Sequence, residues 1–207
     1  EAMVFLEKVP VRHYPYECAA AHVLGYVGEI GRRELTRERY RGYKEGEWIG
    51  KEGIEYQYEP YLRGKDGSLQ VFVDRFEIQR GRPISEVPPI PGNDVVVNLD
   101  IELQKASEEI LGASLGAVVI SDPRDNTILA LASSPRYNPN TFGEDYTKNS
   151  SDYRRPLYHR AIKSWYPPGS VFKIFEAVNI LEDLNMSPEK TEYCPGQFVM
   201  SGHTWRC

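Results

Sequence analysis

Spacings of four at Ile54, Tyr58 and Leu62 predict one face of a short helix that ends near Gly64. Beyond it, "SLQVFVDRFEIQRG" (68–81) alternates apolar and polar residues and predicts a strand or bent hairpin arm, with "GKDG" as the turn before it. "CAAAHVLGYVGEI" (18–30) is small and apolar, and Gly25, Gly28 and Gly31 break it into turns. In "VVVNLDIELQKASEEILG" (95–112) a short strand leads to Asp100 as helix N-cap. Leu103, Ala106 and Ile110 then mark a helix face closed by Gly112. "SLGAVVISDPRDNTILALASSP" (114–135) predicts two apolar strands around a "DPRDN" turn. "RYNPNTFGEDYTKNSSDYRRP" (136–156) is polar and predicts a surface loop. From Ser170 to Leu184 apolar residues cover nearly the whole circumference of a helix, which predicts an interior one. The order of elements is an α+β pattern with an antiparallel sheet.

Pro83, Pro88, Pro89 and Pro91 fall within "GRPISEVPPIPGND" (81–94), a stiff, extended connector that divides the chain. We place a first domain at 1–83, a Pro-rich linker at 84–93 and a second domain at 94–207. The first shows many acids and tyrosines but no constellation beyond a solvated surface. Its basic run "RRELTRERYRGY" (32–43) alternates charge signs like a solvated helix face. With a net charge of −5 and interleaved signs, nothing points to nucleic acid. No apolar run reaches the ~18 residues of a membrane span. The opening "EAMVFLEKVPV" has no signal-peptide character and reads as the middle of a protein.

Candidate chemistry lies in "WYPPGSVFKIFEAVNILE" (165–182). Ser-x-x-Lys recurs by chance, and the chain contains it twice, at Ser170–Lys173 and Ser187–Lys190. In the second, Pro188 and Glu189 follow a serine that caps a helix start, a structural role. In the first, Lys173 is set among Phe172, Ile174 and Phe175, where burial lowers an amine's pKa until it can accept a proton. Residues three apart share a helix face, so Lys173 can reach the Ser170 hydroxyl, a poor nucleophile until a base takes its proton. The helix N-terminus offers N–H groups to a developing oxyanion. The competing reading is a serine N-cap beside a snorkelling lysine.

"YPPGSVFK" (166–173) resembles the active-site serine motif of the penicillin-binding proteins. "RPLYHRAIKSWYPPGS" resembles the segment before that serine, and "GAVVISDPRDNTILALASSPRYNPN" the family's first strand pair. "VRHYPYECAAAHVLGYVG" and "WIGKEGIEYQYEPYLRGKDG" are similar to the pedestal of the class B enzymes, and "TEYCPGQFVMSGHTWRC" to the elongation subgroup. The resemblance implies a pedestal (dimerisation-type) module of short helices and strands, then the front part of a transpeptidase domain. It implies a peptidoglycan D,D-transpeptidase in which Ser170 attacks the D-Ala-D-Ala carbonyl of a stem peptide and Lys173 is the general base. β-Lactams would acylate the same serine. Implied partners are stem peptides, a SEDS-family glycan polymerase and rod-complex scaffold proteins. The implied location is the periplasm, with an inner-membrane anchor in a segment outside this chain.

The family also uses Ser-x-Asn and Lys-Thr-Gly motifs downstream of the serine. Neither follows Lys173 here, so the 207-residue chain is expected to be inactive alone. Val171, Ile174 and His159 replace residues more frequent in the family and do not alter the Ser170 and Lys173 chemistry. No cofactor is required for that chemistry. For Cys194 and Cys207 the resemblance implies half of a structural zinc site, while an oxidising compartment would allow a disulfide. His203 does not match a ligand position and is read as surface. Cys18 is read as a buried structural thiol. Two alternatives stand beside the transpeptidase: a β-lactam sensor or serine β-lactamase, and a pedestal that serves as a binding module.

Overall fold

A computed structural model describes residues 12–76, 78–191 and 193–206. The chain is α+β and forms two compact units, Glu1–Ser164 and Trp165–Cys207.

The first unit begins with α1 (Ala21–Leu24), β1 (Val27–Glu29) and α2 (Arg32–Leu35), followed by a 3₁₀ turn (Glu38–Tyr40) and β2 (Trp48–Gly50). Strands β1 and β2 pair antiparallel, with Val27 opposite Gly50. Ile30, Tyr40 and Ile49 make a small core flanked by Leu35, Tyr43 and Tyr56. The basic run stays in solvent around Tyr40, as its charge alternation predicts. Gly25, at φ +83°, packs against the next module so closely that a Cβ there would lie 1.9 Å from the Glu52 carbonyl oxygen.

The period-four helix forms as two pieces, α3 (Gly53–Gln57) and α4 (Glu59–Leu62). Here the expectation of a merely solvated acidic surface fails, because Glu55 and Glu59 are buried. Each is compensated. Glu55 takes an ion pair from Arg12 at 2.8 Å and the Tyr14 hydroxyl at 3.3 Å. Glu59 accepts the Gly50 N–H at 2.6 Å and the Tyr43 hydroxyl at 3.2 Å. Satisfied partners are what make a buried carboxylate tolerable.

The alternating segment forms β3 (Ser68–Val73), paired antiparallel with β4 (Gln79–Val87). Half of the expected connector is therefore strand, and Pro83 lies within it. Pro83 falls in the register shift between the Gln70–Ser85 and Phe72–Arg80 pairs, where no ladder pair is interrupted by its missing N–H. Past β4 the chain is extended, tied by the Lys65–Ile90 bridge and by Asn93, whose N–H donates to the Tyr61 carbonyl at 2.8 Å. The strand expected at 95–99 does not form. Its valines pair with no ladder, and Val96 is exposed.

Asp100 caps α5 (Ile101–Leu111), accepting from the N–H groups of Glu102 and Leu103, and Gly112 closes it at φ +51°. The buried face is nevertheless Gln104, Ser107 and Glu108, while Leu103 and Ile110 are exposed, Ile110 by 82%. The predicted hairpin forms as β5 (Gly116–Ser121) and β6 (Ile128–Ser134). The polar stretch after it is not all loop, since it contains a 3₁₀ turn (Pro139–Thr141) and α6 (Phe142–Ser151). Aromatic contacts anchor the start of that helix: Phe142 stacks on Tyr26 with ring centroids 3.4 Å apart and meets Tyr137 at 5.7 Å. Then α7 (Arg160–Lys163) ends the unit.

The second unit holds a 3₁₀ turn (Gly169–Phe172), α8 (Lys173–Val178), a π turn (Asn179–Asp183) and a hairpin of β7 (Gln197–Met200) and β8 (His203–Arg206). The predicted single helix is thus a composite.

Candidate active site

Ser170 lies in the 3₁₀ turn and Lys173 is the first residue of α8. The Lys173 N–H donates to the Ser170 carbonyl, which closes the turn between them. In a 3₁₀ turn the side chains at i and i+3 eclipse, whereas in an α-helix they are splayed by about 60°. The backbone turn between Ser170 and Lys173 is thus tighter than the expected α-helix. Gly169 sets the entry at φ +54°, a left-handed conformation strained for any residue with a Cβ, and the Val171 N–H donates to Pro168 O at 3.3 Å.

The expected interior setting is not provided by these residues. Ser170 and Lys173 are exposed, as are Phe172, Ile174, Phe175 and Val178. The second Ser-x-x-Lys is structural, as expected, but caps a turn instead of a helix: the Ser187 hydroxyl accepts the Glu189 N–H at 3.2 Å.

Cys194 is exposed and precedes the β7–β8 hairpin, in which Gln197 faces Arg206. Cys207 lies outside the described residues. Among the described residues no group of three His, Cys, Asp or Glu is placed to hold a metal. His203 is exposed, as expected. Cys18 is only half-buried, against the expectation of an interior thiol; what burial it has raises its pKa, with Arg136 opposing.

Sequence reasoning missed the polar clusters that hold the segments before Ser170. Glu108 Oε1 accepts the Ala20 N–H at 2.9 Å and the Gln104 amide at 2.7 Å, and Arg136 pairs with Oε2 at 3.2 Å. Asn140 clasps the Tyr14 backbone through two bonds of 2.9 Å. His22, His159, Ser133 and Arg160 form a second buried group. Burial pushes the His22 imidazole below its usual range and His159 down to about 4, where neighbouring His22 and Lys163 act in the same direction. Burial also pushes Tyr26 up to about 12. No hydrophobic periodicity flags these residues, because they are polar side chains, and several have partners distant in sequence, as with Glu108 and Ala20 or Asn140 and Tyr14.

Two family models match: the penicillin-binding protein dimerisation domain over residues 3–97 and the penicillin-binding protein transpeptidase domain over residues 116–207. The chain is 38% identical over 203 residues to the peptidoglycan D,D-transpeptidase MrdA of Escherichia coli K12, covering 92% of this chain and 31% of that protein. It therefore spans about a third of that relative's length. Among solved structures, Pseudomonas aeruginosa PBP2 in complex with WCK 5153 aligns with a TM-score of 0.74 at 33% identity, covering 95% of this chain and 41% of that one. The complex of Helicobacter pylori PBP2 with MreC aligns at 0.75 and 30% identity, over 94% and 37%.

Proposed function

The chain belongs to the class B penicillin-binding proteins of the PBP2 type, and from that premise we propose that it is the pedestal and front part of a peptidoglycan D,D-transpeptidase with Ser170 as nucleophile. The observation that supports this reading is the 3₁₀ turn closed by the Lys173 N–H on the Ser170 carbonyl, within a segment that matches the transpeptidase family model. Lys173 takes the hydroxyl proton as Ser170 Oγ attacks the carbonyl between two terminal D-alanines. The Ser170 N–H, at the start of the turn, faces the developing oxyanion. D-Alanine leaves, and an amine from a neighbouring stem peptide resolves the acyl-serine. A β-lactam acylates the same oxygen.

Completion of the site needs the Ser-x-Asn and Lys-Thr-Gly motifs, which these 207 residues lack. The domains run 1–83, 84–93 and 94–207, and the protein works in the periplasm, anchored in the inner membrane. Among the described residues no helix is long and apolar enough to cross a membrane. The solved complex of the H. pylori relative with MreC supports a rod-complex scaffold as partner, and a SEDS-family polymerase is the second. Cys194 and Cys207 supply two thiolates of a structural zinc site, at the two ends of the β7–β8 segment. Bound zinc there would brace the hairpin and take no part in the acylation. A disulfide between the same residues is the competing arrangement, and zinc content of the full-length protein with and without Cys207→Ser separates the two.

The central test is labelling of the full-length protein by a fluorescent penicillin. Stoichiometric, hydroxylamine-sensitive labelling that disappears in Ser170→Ala is expected. Equal labelling of the variant would sink the assignment. The 207-residue chain alone is expected to label at background level.

A further inference from the structure

We infer that the pedestal does not swing on its Pro-rich linker: residues 12–26 act as a coupler that locks α2, α3 and the β1–β2 pair to the front of the transpeptidase domain, so that the two open and move as one body. Both halves fall within the single compact unit Glu1–Ser164. The bonds at Ile90 and Asn93 tie the linker back to the pedestal itself. The coupler cannot be ordered by its own local structure. Helix α1 has four residues, whereas an isolated helix needs ~12–15 to persist in water. Glu17 and Ala20 stand at φ +51° and +57°, a left-handed conformation that residues with a Cβ keep only where their surroundings impose it.

Those surroundings come from both sides. On the pedestal side backbone lies on backbone. Gly53, at φ +61°, is so close to α1 that a Cβ there would lie 2.4 Å from the Val23 carbonyl oxygen. The Lys51 N–H also donates to the Tyr26 carbonyl at 2.9 Å. On the other side the partners belong to the second domain. Glu108 accepts the Ala20 N–H, and the Tyr137 hydroxyl donates to the Ala21 carbonyl at 2.9 Å. His22 Nε2 lies 2.7 Å from the Pro156 carbonyl oxygen, which only accepts, so the imidazole donates. Asn140 holds the N–H and the carbonyl of Tyr14 at 2.9 Å each. Tyr14, Ala20, Ala21 and His22 are all buried. A small swing would leave these groups unpaired before water could reach them, the costly way to lose a hydrogen bond. The boundary at 84–93 is therefore one of sequence. Mechanically, residues 12–26 belong to both halves, and a partner that grips α3 turns the β5–β6 hairpin with it.

The test is native-state amide exchange of the full-length protein, read by mass spectrometry across sub-denaturing urea. Segment 48–57 of the pedestal is expected to open at the same free energy, and with the same urea dependence, as β6 at 128–134. Tyr137→Phe combined with Asn140→Ala removes three bonds to the coupler and leaves the linker untouched. Exchange in 48–57 is then expected to speed up roughly tenfold or more, while 128–134 changes less, so that the two openings part. Val118→Ala on β5 is the control and should weaken both segments together. If the double variant does not fold, Asn140→Ala alone should give the same split at smaller size. Separate openings in the wild type overturn the inference. So do openings that stay merged in the folded variant, because the coupling would then run through something other than residues 12–26.

Discussion

The two units treat polar and apolar groups in opposite ways. In Glu1–Ser164 charged side chains go inside: Glu55, Glu59, Glu108 and Arg160 are all buried and all partnered. In Trp165–Cys207 every described residue except Met186 is exposed, including the run of Phe172, Ile174, Phe175 and Val178. Two different things therefore bear on the candidate nucleophile. Its spacing from Lys173 is set by a local turn that the backbone closes by itself. Its surroundings are open among the described residues: Lys173 and the apolar side chains beside it are all exposed.

The largest effect should fall on the locally built pair. In the full-length protein, Lys173→Met is expected to slow penicillin acylation by about 10²–10⁴-fold, the usual contribution of a positioned base. Lys173→Arg should not rescue it, since guanidinium keeps its proton. Rescue by arginine would mean that the residue acts only as a positive charge.

Next come the buried acids of the first unit. Glu108→Ala strands the Ala20 N–H, the Gln104 amide and the Arg136 guanidinium together. Breaking such a buried cluster costs about 3–5 kcal/mol, readable by urea unfolding. Phe175→Ala provides the contrast. At 66% exposure in the 207-residue chain it should cost under about 1 kcal/mol there. In the full-length protein a loss of about 3–5 kcal/mol is expected if the helix is covered. Equal small losses in both would show that the helix face is bare in the complete molecule as well.

What was legible in the sequence follows the same line. Local signals read correctly: the Asp100 cap and the "DPRDN" hairpin each depend on residues close in sequence, and the period-four segment is helical, although in two pieces. Long-range partners did not. Helix α5 shows Leu103, Ala106 and Ile110 as its apolar stripe, yet packs through Gln104, Ser107 and Glu108, because Ala20 and Arg136 offer polar partners on that side. The helix in the polar stretch is anchored through Phe142, whose partner Tyr26 lies more than a hundred residues earlier.

A smaller effect is expected from pH. Both buried histidines have folded-state pKa values below the unfolded value near 6.5, His159 at about 4. Such groups contribute stability that is full above pH 6.5 and is lost as pH falls toward 4, because the unfolded chain binds the protons first. The slope is at most about 1.4 kcal/mol per pH unit for each histidine. Glu55, raised by burial against the pull of Arg12, acts in the opposite sense nearer the carboxylate range. Because Glu55 opposes them, the histidine contribution is read from the difference between wild type and a histidine variant. Unfolding free energies at pH 7.5, 6.5 and 5.5 should fall in that order, and His159→Asn should flatten the trend. The same slope in wild type and variant would remove the buried-neutral assignment.

The smallest effect separates two ion pairs within the pedestal. Arg32 and Glu45 meet at 3.2 Å with side chains 88% and 65% exposed. Water screens that pair, and Arg32→Ala should change stability by less than about 0.5 kcal/mol. Lys51 and Glu34 meet at 2.5 Å with 18% and 24% exposed, and the same Glu34 oxygen accepts the Gly31 N–H at 2.7 Å at the start of α2. Lys51→Ala leaves that carboxylate partly buried with only the backbone donor, and strips the methylenes that cover Gly28. A loss of about 1–2 kcal/mol is expected for it, in the range of hydrogen bonds to charged groups. The two pairs differ chiefly in how far water reaches them. Equal costs in urea unfolding would mean that burial does not govern stability in the pedestal, and the contrast between the two units would lose its physical basis.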